Sequence, residues 1–214
     1  MKDFSLDFIT LNAHSSVRLE AEDGLVLRVD PFRIEGEPHD ADVVFFTHSH
    51  FDHFSPEDAE RVRKPGTVFV APASMSGDLK KAGLAGQAVL MRPGEETAVC
   101  GIPALAVPSY NTNKPNHPKK NGWLGYVLTV RGLRVYIAGD TDDTEDARAA
   151  ACDVALLPVG GTYTMDAREA AACVSAMRPA AAIPTHYGCI VGSAADGETF
   201  RKLADPEIRV ELKL

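Results

Sequence analysis

Val43-Val44-Phe45-Phe46 is an unbroken apolar run that leads directly into Thr47-His48-Ser49-His50-Phe51-Asp52-His53. A half-exposed strand alternates polar and apolar residues, so a continuous run of this kind is expected of a strand covered on both faces. The polar segment then places three imidazoles and one carboxylate within six residues at the end of that buried strand. Side chains alternate along an extended chain, so His48, His50 and Asp52 would face one side, and a turn at Asp52 would bring His53 round to them. These donors match the nitrogen and carboxylate preferences of zinc, and they also suit manganese or iron. The competing reading, a polar loop with chance histidines, leaves several ring nitrogens beside a buried strand in need of other partners.

The rest of the chain supplies layers for such a strand. Before it, Phe4, Leu6, Phe8 and Thr10 to Leu11 alternate, followed by Val17 and Leu19 and then by Leu25, Leu27 and Val29, with Asp23-Gly24 as a hairpin turn. After it, Ser55 caps a helix with Pro56 in the first turn and Asp58 three residues past the cap. Val68 to Val70 and a helix over Ser74 to Ala82, stopped by Gly83, continue a strand and helix alternation. Short strands broken by Pro93-Gly94, Gly101 and Pro103 fill Val89 to Val107. Residues 108–122, with Pro108, Pro115, Pro118, Gly122 and four asparagines, read as a long loop of the kind that carries function.

Strands Leu124 to Val130 and Leu133 to Ala138 flank Arg131-Gly132, and a helix start is expected after Thr141. Val154 to Leu157, Ala181 to Pro184 and Ile208 to Leu212 complete the strands. Ala167, Ala170, Ala171, Val174 and Met177 share a helical face, with Asp166 and Glu169 spaced for a capping box. Strands in both halves, each set followed by helices, imply two packed sheets with helices outside. No repeat or linker divides the chain, so residues 1–214 are expected to form one domain.

Composition narrows the function classes. With 45% hydrophobic and 24% charged residues over 214 positions, the chain has ordinary globular proportions. No apolar run reaches the roughly 20 residues that span a bilayer, and Met1-Lys2-Asp3-Phe4 is not followed by a signal-peptide core. Four scattered cysteines, without a C-x-x-C pair, read as reduced thiols, and a cytoplasmic location is expected. A net charge of -8 opposes attraction to nucleic acid or to anionic membrane, which favours a small-molecule substrate.

His48, His50, Asp52 and His53 form an H-x-H-x-D-H motif that resembles the signature of the metallo-β-lactamase superfamily. Further blocks carry the resemblance over nearly the whole chain: Asp30-Pro31, Gly139-Asp140-Thr141, Leu157 to Met165, and Pro184-Thr185-His186-Tyr187-Gly188. They are similar to a branch of metal-dependent hydrolases related to ascorbate-6-phosphate lactonases and N-acylphosphatidylethanolamine phospholipase D. The resemblance implies a four-layer αββα sandwich with the metal site at one sheet edge. It implies that His48 and His50 hold one zinc ion, that Asp52, His53 and His186 hold a second, and that Asp140 bridges them. A hydroxide shared by two ions would then attack a small ester, lactone or phosphoester. Asp52 and Asp140 thereby become catalytic, and His14 is expected to face the site and give a proton to the leaving group. Taken alone, Asp140 also reads as a helix cap and His186 as a structural histidine. Asp30 reads equally as a carboxylate orienting a ligand histidine and as a turn before Pro31.

This chain departs from the family pattern where a third histidine of the first site is usual, since Tyr110-Asn111 stands there. Asn111 is a poorer donor than imidazole, and His117 in the nearby loop is either its substitute, a substrate contact, or an exposed loop residue beside Lys119 and Lys120. Trp123 and Tyr126 are expected in the core, Lys114, Lys119 and Lys120 on a solvated face or, as the alternative, on an anion-attracting rim beside the metals, and Cys189 in packing. Two other readings compete: a metal-binding domain without turnover, and a nuclease-type phosphodiesterase. A redox di-iron centre is disfavoured because such relatives carry a glutamate where His50 stands.

Overall fold

The apolar runs become strands in two sheets of a computed structural model that describes residues 4–214, so Met1 to Asp3 lie outside the described residues. The first sheet contains β1 (Ile9–Leu11), β2 (Val17–Glu20), β3 (Val26–Val29), β4 (Ala41–Phe45), β5 (Arg63–Pro72) and β6 (Ala88–Met91), in that spatial order. The second contains β7 (Glu96–Val99), β8 (Ile102–Pro108), β9 (Leu124–Val130), β10 (Leu133–Ile137), β11 (Val154–Pro158), β12 (Ala181–Thr185) and β13 (Arg209–Val210), also in sequence order. Each sheet begins antiparallel, where short turns suffice, and ends parallel from β3 and from β10 onward.

Parallel neighbours need crossovers, and most of these are helical. Helices α1 (Pro56–Val62) and α2 (Ser76–Lys81) serve the first sheet, while α3 (Glu145–Ala149), α4 (Ala167–Met177) and α5 (Ala194–Leu203) serve the second. The inner faces meet through Leu27, Val29, Val43 and Phe45 on one side and Tyr126, Leu128, Ile137, Leu156 and Ile183 on the other. Val44, Phe46 and Phe69 turn outward to Ala59, Val62 and Leu79. Tyr136, Ala155 and Ala182 turn outward to Ala171, Val174 and Phe200. The result is an αββα sandwich, and β4 is covered on both faces as its continuous apolar run requires. Phe45 meets Tyr126 at 5.1 Å between ring centroids. Truncating such a fully buried ring costs about 3 to 5 kcal/mol.

The helix caps follow local chemistry. Ser55 Oγ accepts the Asp58 N–H at 3.1 Å, and Asp166 and Glu169 form the expected capping box. Three elements differ from expectation. The helix expected after Thr141 begins only after Thr144, because Asp142 is already bonded to the loop at 112–114. The helix over Ser74 to Ala82 divides into a short 3-10 turn, Ala73–Met75, followed by α2. The alternation from Phe4 yields a strand only over Ile9–Leu11, since Ile9 N–H turns back to the Leu6 carbonyl at 3.0 Å.

Candidate metal centre

Both sheets contribute to one edge of the sandwich, where three hydrogen bonds tie them together. Leu124 N–H donates to the Thr47 carbonyl at 3.0 Å, Tyr126 Oη to the Phe46 carbonyl at 2.8 Å, and His186 N–H to the His14 carbonyl at 2.9 Å. The chain leaving β4 turns here, with the N–H groups of His53 and Phe54 both donating to the His50 carbonyl, at 3.0 and 2.7 Å. That turn corrects the expectation that His48, His50 and Asp52 face one way. His48 and His50 lie with His117 and Asp140, whereas Asp52 and His53 lie with His14 and His186.

Each group offers three imidazoles and one carboxylate, with ligand atoms within 4.8 Å of one another. Asp140 joins the groups. Its Oδ2 is 3.2 Å from His117 Nε2 and 3.1 Å from His186 Nε2, and its Oδ1 is 3.2 Å from His53 Nε2. Asp52 Oδ2 stands 3.2 Å from His14 Nε2 and 3.7 Å from His186 Nε2.

Backbone geometry delivers these side chains. Gly139 adopts φ +64, and a Cβ there would stand 3.0 Å from the Thr47 side chain, so glycine lets the chain pass into Asp140 without strain or crowding. Gly160 lies so close behind His186 that a Cβ would meet its carbonyl oxygen at 2.1 Å. His14, Asp30, Arg33 and His186 all take positive φ, between 47° and 59°, in the segments around the site. Non-glycine residues adopt that conformation at a cost, and such strain concentrates where function fixes a side chain.

Three supports lie behind the ring nitrogens. Asp30, buried, accepts the Thr47 N–H at 2.8 Å and the Thr47 hydroxyl at 2.6 Å, and pairs with His53 Nδ1 at 2.7 Å. It therefore has the orienting position, with the turn before Pro31 included in it. Thr47 Oγ1 is 3.0 Å from His48 Nδ1. Asn111 Oδ1 is 2.9 Å from His117 Nδ1 and also accepts the His117 N–H at 3.0 Å. The Asn111 amide nitrogen donates to Asp142 Oδ1 and to the Tyr163 carbonyl, so Asn111 faces away from both groups and props His117. His117 is 1% exposed, which excludes the exposed-loop alternative.

Burial lowers His48 far below the ordinary histidine value, and neighbouring imidazoles lower it further. Burial acts the same way on His53 and His186, but Asp140, with Asp30 or Asp52, outweighs it and raises both. Burial would raise Asp140, yet His186 and His53 hold its carboxyl well below the carboxylate range. Burial lowers His14, against the pull of the Asp52 carboxylate, and His186 and His53 lower it further.

The fit to cations is visible in what these atoms lack. The Nε2 atoms of His14, His53 and His186 and Asp140 Oδ1 are buried and have no hydrogen bond in the structure, although each ring nitrogen stands within ion-pair distance of an Asp52 or Asp140 oxygen. Buried polar atoms rarely stay unpaired without a ligand to satisfy them. Sequence reasoning placed Trp123 in the core, but it is half-buried and lies against His48, His50 and His117, with centroids 5.0, 4.9 and 5.6 Å away. Its position at the end of the 108–122 loop was the available signal. Lys114 is likewise held inside the loop by Asp142 at 2.7 Å, while Lys119 pairs with Asp146 at 2.9 Å. Tyr126 is in the core.

An αββα sandwich with paired histidine and aspartate groups at one sheet edge defines a class of metal-site proteins. The sequence profile of the β-lactamase superfamily domain matches residues 8–186. The chain is 36% identical over 175 residues to a UPF0173 metal-dependent hydrolase of Thermofilum pendens, covering 80% of this chain and 73% of that one. A relative from Thermoplasma acidophilum with the same description is 34% identical over 188 residues, with 82% of each chain covered. Among solved structures, a provisionally assigned metal-dependent hydrolase of Parabacteroides distasonis superposes with a TM-score of 0.80 at 32% identity, over 96% of this chain and 92% of that one. Igni18, a metallo hydrolase of Ignicoccus hospitalis, gives 0.75 at 26% identity over 96% and 94%. The chain belongs to the metallo-β-lactamase superfamily, and within it to the branch of metal-dependent hydrolases.

Proposed function

We propose that the chain is a zinc-dependent hydrolase of a small ester, lactone or phosphoester, with His48, His50, His117 and Asp140 holding one ion and His14, Asp52, His53 and His186 the other. The observation that carries this is the pair of three-histidine, one-carboxylate groups joined through Asp140. Imidazole and carboxylate in that ratio suit zinc, and manganese or iron remain compatible. Divalent cations held there would supply a nucleophilic water at neutral pH and polarise the bond to be cleaved.

The chain's own residues do the positioning. Asp140 places negative charge between the two groups, and Asp30, Thr47 and Asn111 fix which ring nitrogen of His53, His48 and His117 faces inward. We assign His14 to the second ion in place of proton transfer, since its Nε2 is turned to Asp52. Trp123 covers the first group on one side and limits water access. A small substrate fits the net charge of -8, which opposes a polyanion. The four cysteines are free, and among the described residues no helix is long and apolar enough to cross a membrane. A cytoplasmic location is consistent with both.

The test is elemental analysis of protein purified without chelator, followed by a screen of aryl esters, lactones and phosphodiesters. One to two equivalents of zinc are expected, with hydrolysis lost on chelation and restored on adding zinc back. Protein that carries no metal and takes none up on dialysis would overturn the reading.

A further inference from the structure

Arg33 lies in the segment after Asp30, next to Phe32, on a backbone that glycine would occupy more easily, with φ +52. The fold holds it there firmly. Its N–H donates to Asp58 Oδ2 at 3.0 Å, the next N–H, from Ile34, donates to Asp58 Oδ1 at 3.0 Å, and Asn12 Nδ2 donates to the carbonyls of Phe32 and Arg33 at 2.8 Å each. A strained residue held by supports from two other segments points to a use for its side chain.

That side chain is exposed and has no carboxylate partner among the described residues, whereas Arg18, Arg28 and Arg61 each pair with one. Its Nη1 is 3.0 Å from Cys189 Sγ, three residues beyond His186, and its guanidinium lies 5.3 Å from the Phe32 ring. The Phe32 ring in turn lies 6.4 Å from His14 and 6.2 Å from Phe51, which sits between His50 and Asp52 and is 68% exposed. The cation and the two rings therefore border the segments that carry the second group. Four of the five guanidinium N–H donors are left for a ligand.

We propose that Arg33 recognises an oxyanion, carboxylate or phosphate, on the part of the substrate that is not cleaved, with the exposed Phe51, backed by the buried Phe32, receiving an apolar portion beside it. This rests on the hydrolase reading and narrows its substrate to small anionic compounds. A planar guanidinium matches both oxyanions through paired hydrogen bonds.

The experiment is calorimetric titration of the purified protein with phenylacetate, phenylphosphate and the neutral phenylacetamide, on wild type, Arg33→Gln and Arg33→Gly. Wild type is expected to prefer at least one anion over the amide by about tenfold, the order of a single charge-assisted contact at an exposed site. Both variants should lose most of that preference, and the anion showing the larger loss identifies the oxyanion. Arg33→Gly should melt no lower than wild type, because glycine relieves the positive φ. No preference in wild type, or one that survives in Arg33→Gln, overturns the proposal. Metal content is measured on the same samples. Metal present with preference intact in Arg33→Gln removes the Arg33 role alone, whereas protein that holds no metal and takes none up removes the hydrolase reading and leaves the anion comparison readable.

Discussion

The two ligand groups have the same donors, three imidazoles and one carboxylate, yet they are built differently. The first draws on the segment after β4, the 108–122 loop and the end of β10, and is supported by neutral partners, the Thr47 hydroxyl and the Asn111 amide, with His50 only half-buried. The second draws on the ends of both sheets, is fully buried, and is supported by the ionisable Asp30. A carboxylate behind an imidazole makes that ring a stronger donor than an amide does. Equal donor chemistry should therefore give unequal affinity, with the second group loading first.

The largest effect is expected from Asp140→Asn, which keeps the shape and removes the charge shared by both groups. Metal content should fall for both sites, and turnover should drop by more than about 100-fold, the upper range for losing a mere supporting residue. Elemental analysis and rate measurement check it, and near wild-type turnover would show that the groups do not act together. Gly160→Ala comes next. Its Cβ would collide with the His186 carbonyl, so the second group should lose affinity first, with about 1 to 3 kcal/mol of overpacking cost visible in thermal melting.

The sharpest test of the comparison is a pair of variants. Asn111→Leu should weaken only the first site, by about 10 to 100-fold in metal titration, and Asp30→Asn should weaken the second by as much and the first less, since it reaches His48 only through the Thr47 hydroxyl. If either variant weakens both sites equally, the groups form one unit and the comparison fails. The smallest effect lies away from both. Burial would raise the Asp40 carboxyl, but hydrogen bonds from Arg28 and Arg18 outweigh it and hold it below its usual value. A lowered carboxylate contributes stability that is present above its unfolded pKa, about 3.9, and is lost as pH falls through the lower folded value. Asp40→Asn should thus cost about 1 kcal/mol or less at pH 7, and the difference from wild type should vanish at the acid end, with metal content unchanged.

What the sequence makes legible is what neighbouring residues determine. β4 and the histidines after it can be read because burial on both faces and the six-residue cluster are local patterns. Helix α5 was not named, although Ser193 and Asp196 form a capping box, because Gly197 interrupts the helical pattern. That glycine is needed for packing, since a Cβ there would meet the Tyr187 hydroxyl at 2.7 Å. The placement of His117 could not be read, because it depends on Asp142, 30 positions beyond Thr112, gathering the N–H groups of Thr112 and Asn113 and the Lys114 ammonium. Nor could that of His14, whose ring lies 3.8 Å from that of His186. Only His39 among the seven histidines lies outside the two groups.

The three hydrogen bonds that join the sheets at this edge have a consequence for how the protein is made. The second group takes donors from His14 to His186, so its closure spans most of the chain, and contacts of that separation form late in folding. A nascent or half-folded chain offers no complete site. Metal should therefore be captured after the sheets dock, and once captured it should resist their separation by mass action. Chelation should consequently lower the melting temperature of the whole sandwich and speed its global opening, seen as faster amide exchange in β4 and β12 together.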